Sequence, residues 1–137
     1  LITQLRKILK INQNWDLALV GIGDLGTALA RYQGFENHGF NIVLAFDNDP
    51  AKVNKTIGNI KVQSTEHMID TIKMRSVKIA MLTVPAAQAQ AVAEKLILAG
   101  IKAIISYAPI SLSLPATVHV DYVDPILKLQ HMTYYLE

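Results

Sequence analysis

The stretch that decides the fold is LALVGIGDLGTALARY, residues 17–32, an apolar run that meets Gly21, Gly23 and Gly26 and then continues with helical periodicity. A Gly-x-Gly-x-x-Gly string alone is a weak signal, because glycines recur in loops for conformational reasons. Here the string follows a predicted strand, opens a predicted helix, and is followed by a second predicted strand that ends at Asp47. This context is the one that a dinucleotide-binding turn requires.

Each residue of the turn has its own physical role in that interpretation. Gly21 permits a tight turn, Gly23 lets the backbone approach a pyrophosphate, and Gly26 lets helix and strand pack closely. Asp47 follows about 20 residues later, where a carboxylate accepts hydrogen bonds from the adenosine ribose. Since its charge would repel a 2′-phosphate and no arginine follows it at once, we expect NAD(H) to be preferred over NADP(H). The alternative is that the glycines only make a turn and Asp47 only caps the next one.

Asp24 lies inside the glycine turn. A carboxylate there would oppose a pyrophosphate, because like charges repel. We therefore expect Asp24 to point outward and to cap the N-terminus of the helix that follows.

Apolar segments and segments of helical periodicity alternate along the chain, which is typical of βαβ units. We predict strands at residues 17–21, 41–47, 60–62, 78–84, 101–106 and 118–123, and helices at residues 25–38, 65–75 and 86–99. Several strands are apolar at consecutive positions, as in parallel strands that are covered on both faces. Gly39 and Gly100 fit helix C-caps, and Pro85 fits a helix start. The predicted fold is α/β, a doubly wound parallel sheet (Rossmann) in a single domain with flanking N- and C-terminal helices.

The composition limits the classes of function. With 137 residues, of which 51% are hydrophobic and 18% charged, the chain is expected to form one core-rich domain. Its apolar runs are too short to cross a bilayer and it shows no signal-peptide pattern, so we expect a cytoplasmic protein. The absence of cysteine excludes disulfides, thiolate metal sites and a thiol redox switch. Because the chain begins at Leu1 without a methionine, we expect it to be a piece of a longer protein.

The patterns that could indicate catalysis or metal binding are weak. The four histidines form no His-Glu-x-x-His motif and no i, i+4 pair, and no serine lies in a Gly-x-Ser-x-Gly turn. The chain also ends soon after its sixth predicted strand, which leaves no room for the substrate domain of a dehydrogenase. We therefore expect a domain that senses a cofactor and does not use it as an enzyme.

Two segments at predicted strand ends would border the cofactor crevice, Thr83–Ala86 and Ser106–Pro109. Either they contact the adenosine or nicotinamide ends, or their prolines only set the turn into the next segment. The two ends of the chain carry wide apolar faces. Each face packs either on its own sheet or, for the C-terminal helix, on a second copy of the chain across a two-fold axis.

Three stretches are similar to the redox-sensing transcriptional repressors called Rex, and together they span nearly the whole chain. They are LRKILKINQNWDLALVGIGDLGTALARYQGFENHGFNIVLAFDNDPAKVNKTIGNIKV, then IAMLTVPAAQAQAVAEKLILAGIKAIISYAPISLSLP, then VDYVDPILKLQHMTYYL. The resemblance implies a Rossmann domain preceded by a winged-helix DNA-binding domain, in a dimer that exchanges its C-terminal helices. It further implies release from operator DNA when NADH replaces NAD⁺.

The resemblance implies three parts for this chain. Residues 1–13 would be a connecting helix from a missing N-terminal domain, residues 14–124 the NAD(H)-binding domain, and residues 125–137 a domain-swapped dimerisation helix. The partners would be a second copy and operator DNA, the latter bound through the missing domain and not through this fragment. Neither a membrane, a metal nor a catalytic residue is expected. The nucleotide-binding half of an NAD-dependent oxidoreductase and a CoA-binding domain stay open as alternatives.

The resemblance also implies which residues hold the cofactor. They are Gly21, Ile22, Gly23, Asp24, Leu25 and Gly26 in the pyrophosphate loop, Asp47 and Asn48 at the ribose, Thr83, Val84 and Pro85 in the crevice, and Tyr107, Ala108, Pro109 and Asp124 toward the nicotinamide. Two residues depart from the family pattern. Asp24 stands where an asparagine is expected, which would lower cofactor affinity. Pro125 stands where a bulky apolar residue is expected, which would weaken nicotinamide sensing.

Overall fold

The computed structural model describes residues 14–123 and 125–136, so residues 1–13, with the connecting helix predicted there, and Asp124 lie outside it. Its strands are β1 (Trp15–Val20), β2 (Phe40–Asp47), β3 (Thr56–Ile57), β4 (Ile60–Ser64), β5 (Ile79–Leu82), β6 (Ala103–Ser106) and β7 (His119–Tyr122). Its helices are α1 (Asp24–Arg31), α2 (Gly34–Asn37), α3 (Met68–Arg75), α4 (Ala86–Leu98) and α5 (Pro125–Thr133), with a 3-10 turn at Thr65–His67.

The strands form one sheet in the order β3-β4-β2-β1-β5-β6-β7. Every neighbouring pair is parallel except β3 and β4, which are antiparallel. Without β3, the order is that of a doubly wound dinucleotide-binding sheet, in which the winding reverses between β1 and β5. The predicted fold class is confirmed, with the correction that the short edge strand β3 makes the sheet mixed.

The apolar runs of the sequence are explained by burial on both faces of the sheet. In β1, Leu17 and Leu19 belong to one core cluster, while Ala18 and Val20 belong to the cluster on the other face. The second of these clusters includes the buried side chains that α3 and α4 contribute. Consecutive burial of this kind is what parallel strands covered by helices show.

The prediction of one helix over residues 25–38 is wrong. Helix α1 ends at Arg31, Tyr32 is extended with ψ 114°, and the separate helix α2 begins at Gly34. The ring of Tyr32 meets Phe35 edge-on with centroids 4.8 Å apart. The Tyr32 ring also occupies the position that a Cβ at residue 34 would take, so the glycine at this position makes room for the ring. Periodicity does not reveal such a break, because residues three apart also share a helix face.

The other helix ends follow the predictions more closely. Gly39 and Gly100 have positive φ angles of 83° and 96°, as expected of residues that end helices. Pro85 is the N-cap of α4, one residue before the first helical position. The helix predicted at residues 65–75 begins as the 3-10 turn, where the Ser64 hydroxyl accepts a hydrogen bond from the backbone N–H of Glu66 at 3.2 Å.

Part of one sheet face stays uncovered among the described residues. A shallow apolar depression of about 640 Å³ lies over β1, β5, β6 and β7, with Leu17, Ile79 and Ile105 in its floor. Helix α5 and the turn after it also present exposed apolar side chains, namely Leu129, Met132, Tyr134, Tyr135 and Leu136. In the described part of the chain, no helix has both the length and the apolar character needed to cross a membrane.

Candidate functional site

The carboxyl ends of β1, β2 and β5 meet at one edge of the sheet, beside the point where the winding reverses. An open cavity of about 670 Å³ lies there, within the size range of small-molecule sites. The structure brings together eight of the residues predicted from the sequence in its lining, which are Gly21, Ile22, Gly23, Asp47, Asn48, Thr83, Val84 and Pro85.

The first glycine of the turn is fixed by its surroundings. Gly21 has a φ of +102°, and a Cβ there would lie 2.8–2.9 Å from backbone and hydroxyl atoms of Thr83. The Thr83 hydroxyl donates a hydrogen bond to the carbonyl oxygen of Gly21 at 2.5 Å and lies 3.1 Å from that of Val20. The Gly21 N–H donates to the carbonyl oxygen of Phe46 at 2.9 Å. The turn is therefore tied to the ends of both neighbouring strands.

The second and third glycines face opposite environments. Among the described residues, no atom outside Gly23 and its two chain neighbours lies within 4 Å of the Cβ position of Gly23, which borders the cavity. A Cβ on Gly26 would overlap the carbonyl oxygen of Gly21, so this glycine permits the close packing of α1 on the turn. The free space at Gly23 lies where α1 begins, and the first N–H groups of a helix have no intrahelical partner. An anionic group can therefore approach the backbone at this point.

The prediction that Asp24 caps α1 is wrong. Gly23 occupies the N-cap position, and Asp24 is the first helical residue with an exposed side chain. The helix begins at Asp24 itself, with Gly23 as its N-cap. The Asp24 carboxylate is therefore one residue too far along the chain to be the cap. Asp24 lines a neighbouring cavity of about 340 Å³, and Leu25 is 46% exposed. Neither residue lines the main cavity, and Gly26 is buried against the carbonyl oxygen of Gly21.

Asp47 ends β2 at the floor of the cavity and is only 9% exposed. One carboxylate oxygen accepts a hydrogen bond from the backbone N–H of Ile22 at 2.7 Å, and the other accepts from that of Asp49 at 2.9 Å. The bond from Asp49 is the contact expected if Asp47 caps the turn that follows β2, which was the alternative interpretation of this residue. An ionised carboxylate has about four acceptor positions, so these two bonds leave capacity for further donors.

Helix α4 supplies a wall of the cavity that the sequence analysis missed. The cavity is lined at helical spacing by Gln88, Ala91, Val92 and Lys95, and Met68 of α3 also lines it. Residues at i, i+3, i+4 and i+7 share one helix face, so this spacing after Pro85 was the available signal. The missed residues also include Asp49, Lys52, Thr65 and Ala87.

Two lysines and two aspartates give the cavity a mixed electrostatic character. Lys52 follows β2 and lines both the main cavity and its smaller neighbour, while Lys95 lies on α4. Their charges would attract the phosphates of a ligand, whereas Asp47 and Asp49 would repel phosphates and accept hydrogen bonds from hydroxyl groups instead. Within residues 14–123 and 125–136, no group of three or more acidic or histidine side chains is arranged to hold a metal ion.

The segment predicted at the nicotinamide end does not line the cavity. Tyr107 packs against the core cluster on the α1 face of the sheet, and Ala108 belongs to the cluster on the other face. Burial raises the pKa of the Tyr107 phenol above its ordinary value, because the phenolate loses hydration. The segment still adjoins the site, since the Tyr107 N–H donates to the carbonyl oxygen of Leu82 at 2.9 Å.

Known proteins are similar to this chain in sequence and in fold. A family model described as the CoA binding domain matches residues 12–110. The chain is 48% identical over 136 residues to a redox-sensing transcriptional repressor Rex of Chloroflexus aurantiacus, covering 99% of this chain and 64% of that protein. A Rex repressor of Roseiflexus sp. is 43% identical, with 99% of this chain and 62% of that protein covered. The chain thus spans less than two thirds of the length of these relatives.

Solved structures of a Rex-family repressor, RSP, also match. The structure of RSP with β-NADH has a TM-score of 0.88 and 34% identity, and covers 98% of this chain and 65% of that one. The structure of RSP with β-NAD⁺ and operator DNA has a TM-score of 0.90 and 34% identity, and covers 98% of this chain and 62% of that one.

Proposed function

Because the chain belongs to the CoA binding domain family and is homologous to the Rex repressors, we propose that it is the NADH- and NAD⁺-sensing regulatory domain of a transcriptional repressor. The observation that carries the proposal is the convergence of open space at Gly23 with the Asp47 carboxylate in one cavity. This pair suits a pyrophosphate next to a ribose. The bound nucleotides of RSP, a relative of the same fold, support the assignment.

The cofactor would lie along the carboxyl ends of β2, β1 and β5. The pyrophosphate would lie over Gly23, and Asp47 would accept hydrogen bonds from the adenosine ribose hydroxyls. The adenine would lie against Val92 and Ala91 of α4, which offer it an apolar surface. The nicotinamide would then extend toward residues 107–109, which adjoin the end of β5.

The proposal includes a homodimer that exchanges its C-terminal helices. Exposed apolar side chains on and after α5 would gain a partner, and the apolar depression on the sheet is a candidate surface for it. Contiguous apolar exposure of this kind marks interaction sites. Operator DNA would be bound through the winged-helix domain that the resemblance to Rex implies, in the cytoplasm. The cofactor-binding domain itself would catalyse no reaction.

The description of the family favours a second candidate, a domain that binds CoA. Lys52 and Lys95 could serve the phosphates of CoA as well as those of NADH. The carboxylate of Asp47 favours NADH, because the adenosine ribose of CoA carries a 3′-phosphate that this charge would repel.

A competition experiment separates the two functions. The binding of NADH to the 137-residue chain is measured by titration calorimetry, and the titration is then repeated in the presence of NAD⁺, NADPH or CoA as the competitor. We expect NADH to bind, NAD⁺ to displace it, and NADPH and CoA to compete more weakly. Displacement by CoA at lower concentrations than by NAD⁺, or no binding of NADH, would refute the proposed function.

A further inference from the structure

The loop that joins β6 to β7, residues 107–118, is held on α4 by one side chain. The Gln90 side-chain oxygen accepts a hydrogen bond from the Ser113 N–H, and its side-chain nitrogen donates to the Ser113 carbonyl oxygen, both at 2.9 Å. Ile110, Leu112 and Leu114 of the loop pack against the core cluster beneath α4. The middle of the loop is therefore fixed to a helix whose other residues line the cavity.

A second side chain, that of Tyr122, also holds this loop. The N–H of Leu112 donates to the hydroxyl of Tyr122 at 2.8 Å. Tyr122 is the last residue of β7 and pairs with Ser106, the last residue of β6, and the next N–H, that of Val123, donates to the Ser106 carbonyl oxygen at 2.9 Å. The ends of β6 and β7 and the middle of the loop are thus joined by hydrogen bonds.

Ser106 anchors the start of the loop in the same arrangement. It is fully buried, and its hydroxyl accepts a hydrogen bond from the N–H of Ala108 at 3.3 Å. The loop therefore leaves β6 at a buried, hydrogen-bonded residue. Tyr122, whose hydroxyl bonds the middle of the loop, is paired with this same residue in the sheet. Helix α5 begins at Pro125, soon after Tyr122.

We propose that Tyr122 is a positioning residue that couples the nicotinamide end of the site to the C-terminal helix. The inference rests on the proposed function. Displacement of residues 107–109 by a bound nicotinamide moves the loop, and the hydrogen bond between Leu112 and Tyr122 passes this movement to the segment that leads into α5. Coupling between sites travels through packed groups and hydrogen bonds of this kind. Gln90 also holds the loop, but this side chain connects the loop to α4 and not to α5.

The test compares Tyr122→Phe with the control Gln90→Leu in the 137-residue chain. Each removes loop hydrogen bonds, and Tyr122→Phe removes only one hydroxyl from a side chain that is 41% exposed. The affinity for NADH is measured beside that for ADP-ribose, which has no nicotinamide. Sedimentation with and without saturating NADH gives the effect of the cofactor on dimerisation.

In both variants we expect NADH to bind about 2- to 10-fold more weakly, which corresponds to the loss of a typical hydrogen bond. The affinity for ADP-ribose should be unchanged. Only Tyr122→Phe should reduce the effect of NADH on dimerisation. An unchanged ratio of the two affinities in Tyr122→Phe would overturn the proposal. Equal dimerisation responses in the two variants, or a wild-type dimer that ignores NADH, would overturn it as well. Failure of the wild-type chain to bind NADH at all would instead refute the proposed function.

Discussion

Substitution of Gly23 should separate nucleotide binding from folding. A valine side chain at this position enters free space that borders the cavity, and its φ of −86° is accessible to any residue. Valine is a poorer N-cap than glycine, so we expect Gly23→Val to lower the free energy of unfolding by about 1 kcal/mol at most. The branched side chain would hold a pyrophosphate away from the start of α1. Loss of one hydrogen bond to a charged group costs about 1.5–3 kcal/mol, which weakens NADH binding roughly 10- to 150-fold.

Gly26→Ala is the matched control for the effect on stability. Its added Cβ would overlap the carbonyl oxygen of Gly21, whereas the side chain added at Gly23 enters free space. Overpacking costs about 1–3 kcal/mol, and one kcal/mol lowers the melting temperature of a domain of this size by roughly 4 °C. We expect a fall of about 4–12 °C for Gly26→Ala and a smaller one for Gly23→Val. Calorimetry and NADH fluorescence measure the two effects. A folded Gly23→Val chain with wild-type affinity would show that the turn does not bind a pyrophosphate.

Four further predictions follow from the described contacts. Asp47→Ala should weaken NADH binding by about 1–3 kcal/mol and narrow the preference over NADPH, and equal wild-type affinities for the two nucleotides would contradict this role. Thr83→Val should lower the melting temperature by about 4 °C, since it removes the hydroxyl that holds the Gly21 carbonyl oxygen. Because burial raises the pKa of Tyr107, its folded state resists ionisation. Stability should therefore fall as the pH rises above the ordinary tyrosine value of 10.0, and less so in Tyr107→Phe, as pH-dependent urea denaturation would show. Removal of residues after Val123 should give a monomer or an aggregate, and a soluble dimer in sedimentation would place the interface elsewhere.

The parts of the site that lie on consecutive residues could be predicted from the sequence. The glycine turn and the strand that ends at Asp47 each combine a local conformation with a local chemistry, and the doubly wound order follows from alternating elements. The cavity wall on α4 could not be predicted in the same way. Whether Gln88 or Gln90 faces the cavity depends on how the helix lies on the sheet, which is a tertiary property.

The break at Tyr32 and the edge strand β3 were missed for a related reason. A ring that folds back on Phe35 leaves no trace in an amphipathic pattern, because the same two residues would also share a face of an unbroken helix. Strand β3 has only Thr56 and Ile57, so its assignment depends on pairing with β4 and not on any period of its own. Local patterns thus identified the strands of the central sheet, while contacts between elements decided their ends.

The two interpretations of Asp47 are compatible in this geometry. Its carboxylate accepts the N–H groups of Ile22 and Asp49, and therefore holds the glycine turn against the end of β2 before any ligand arrives. Those two hydrogen bonds fix the orientation of a carboxylate that is only 9% exposed. A charge oriented in advance costs less to bring to a ribose than one that must first be ordered. In the proposed site, the capping contact would thus present the carboxylate to the ribose, and loss of Asp47 should disturb the turn and the binding of NADH together.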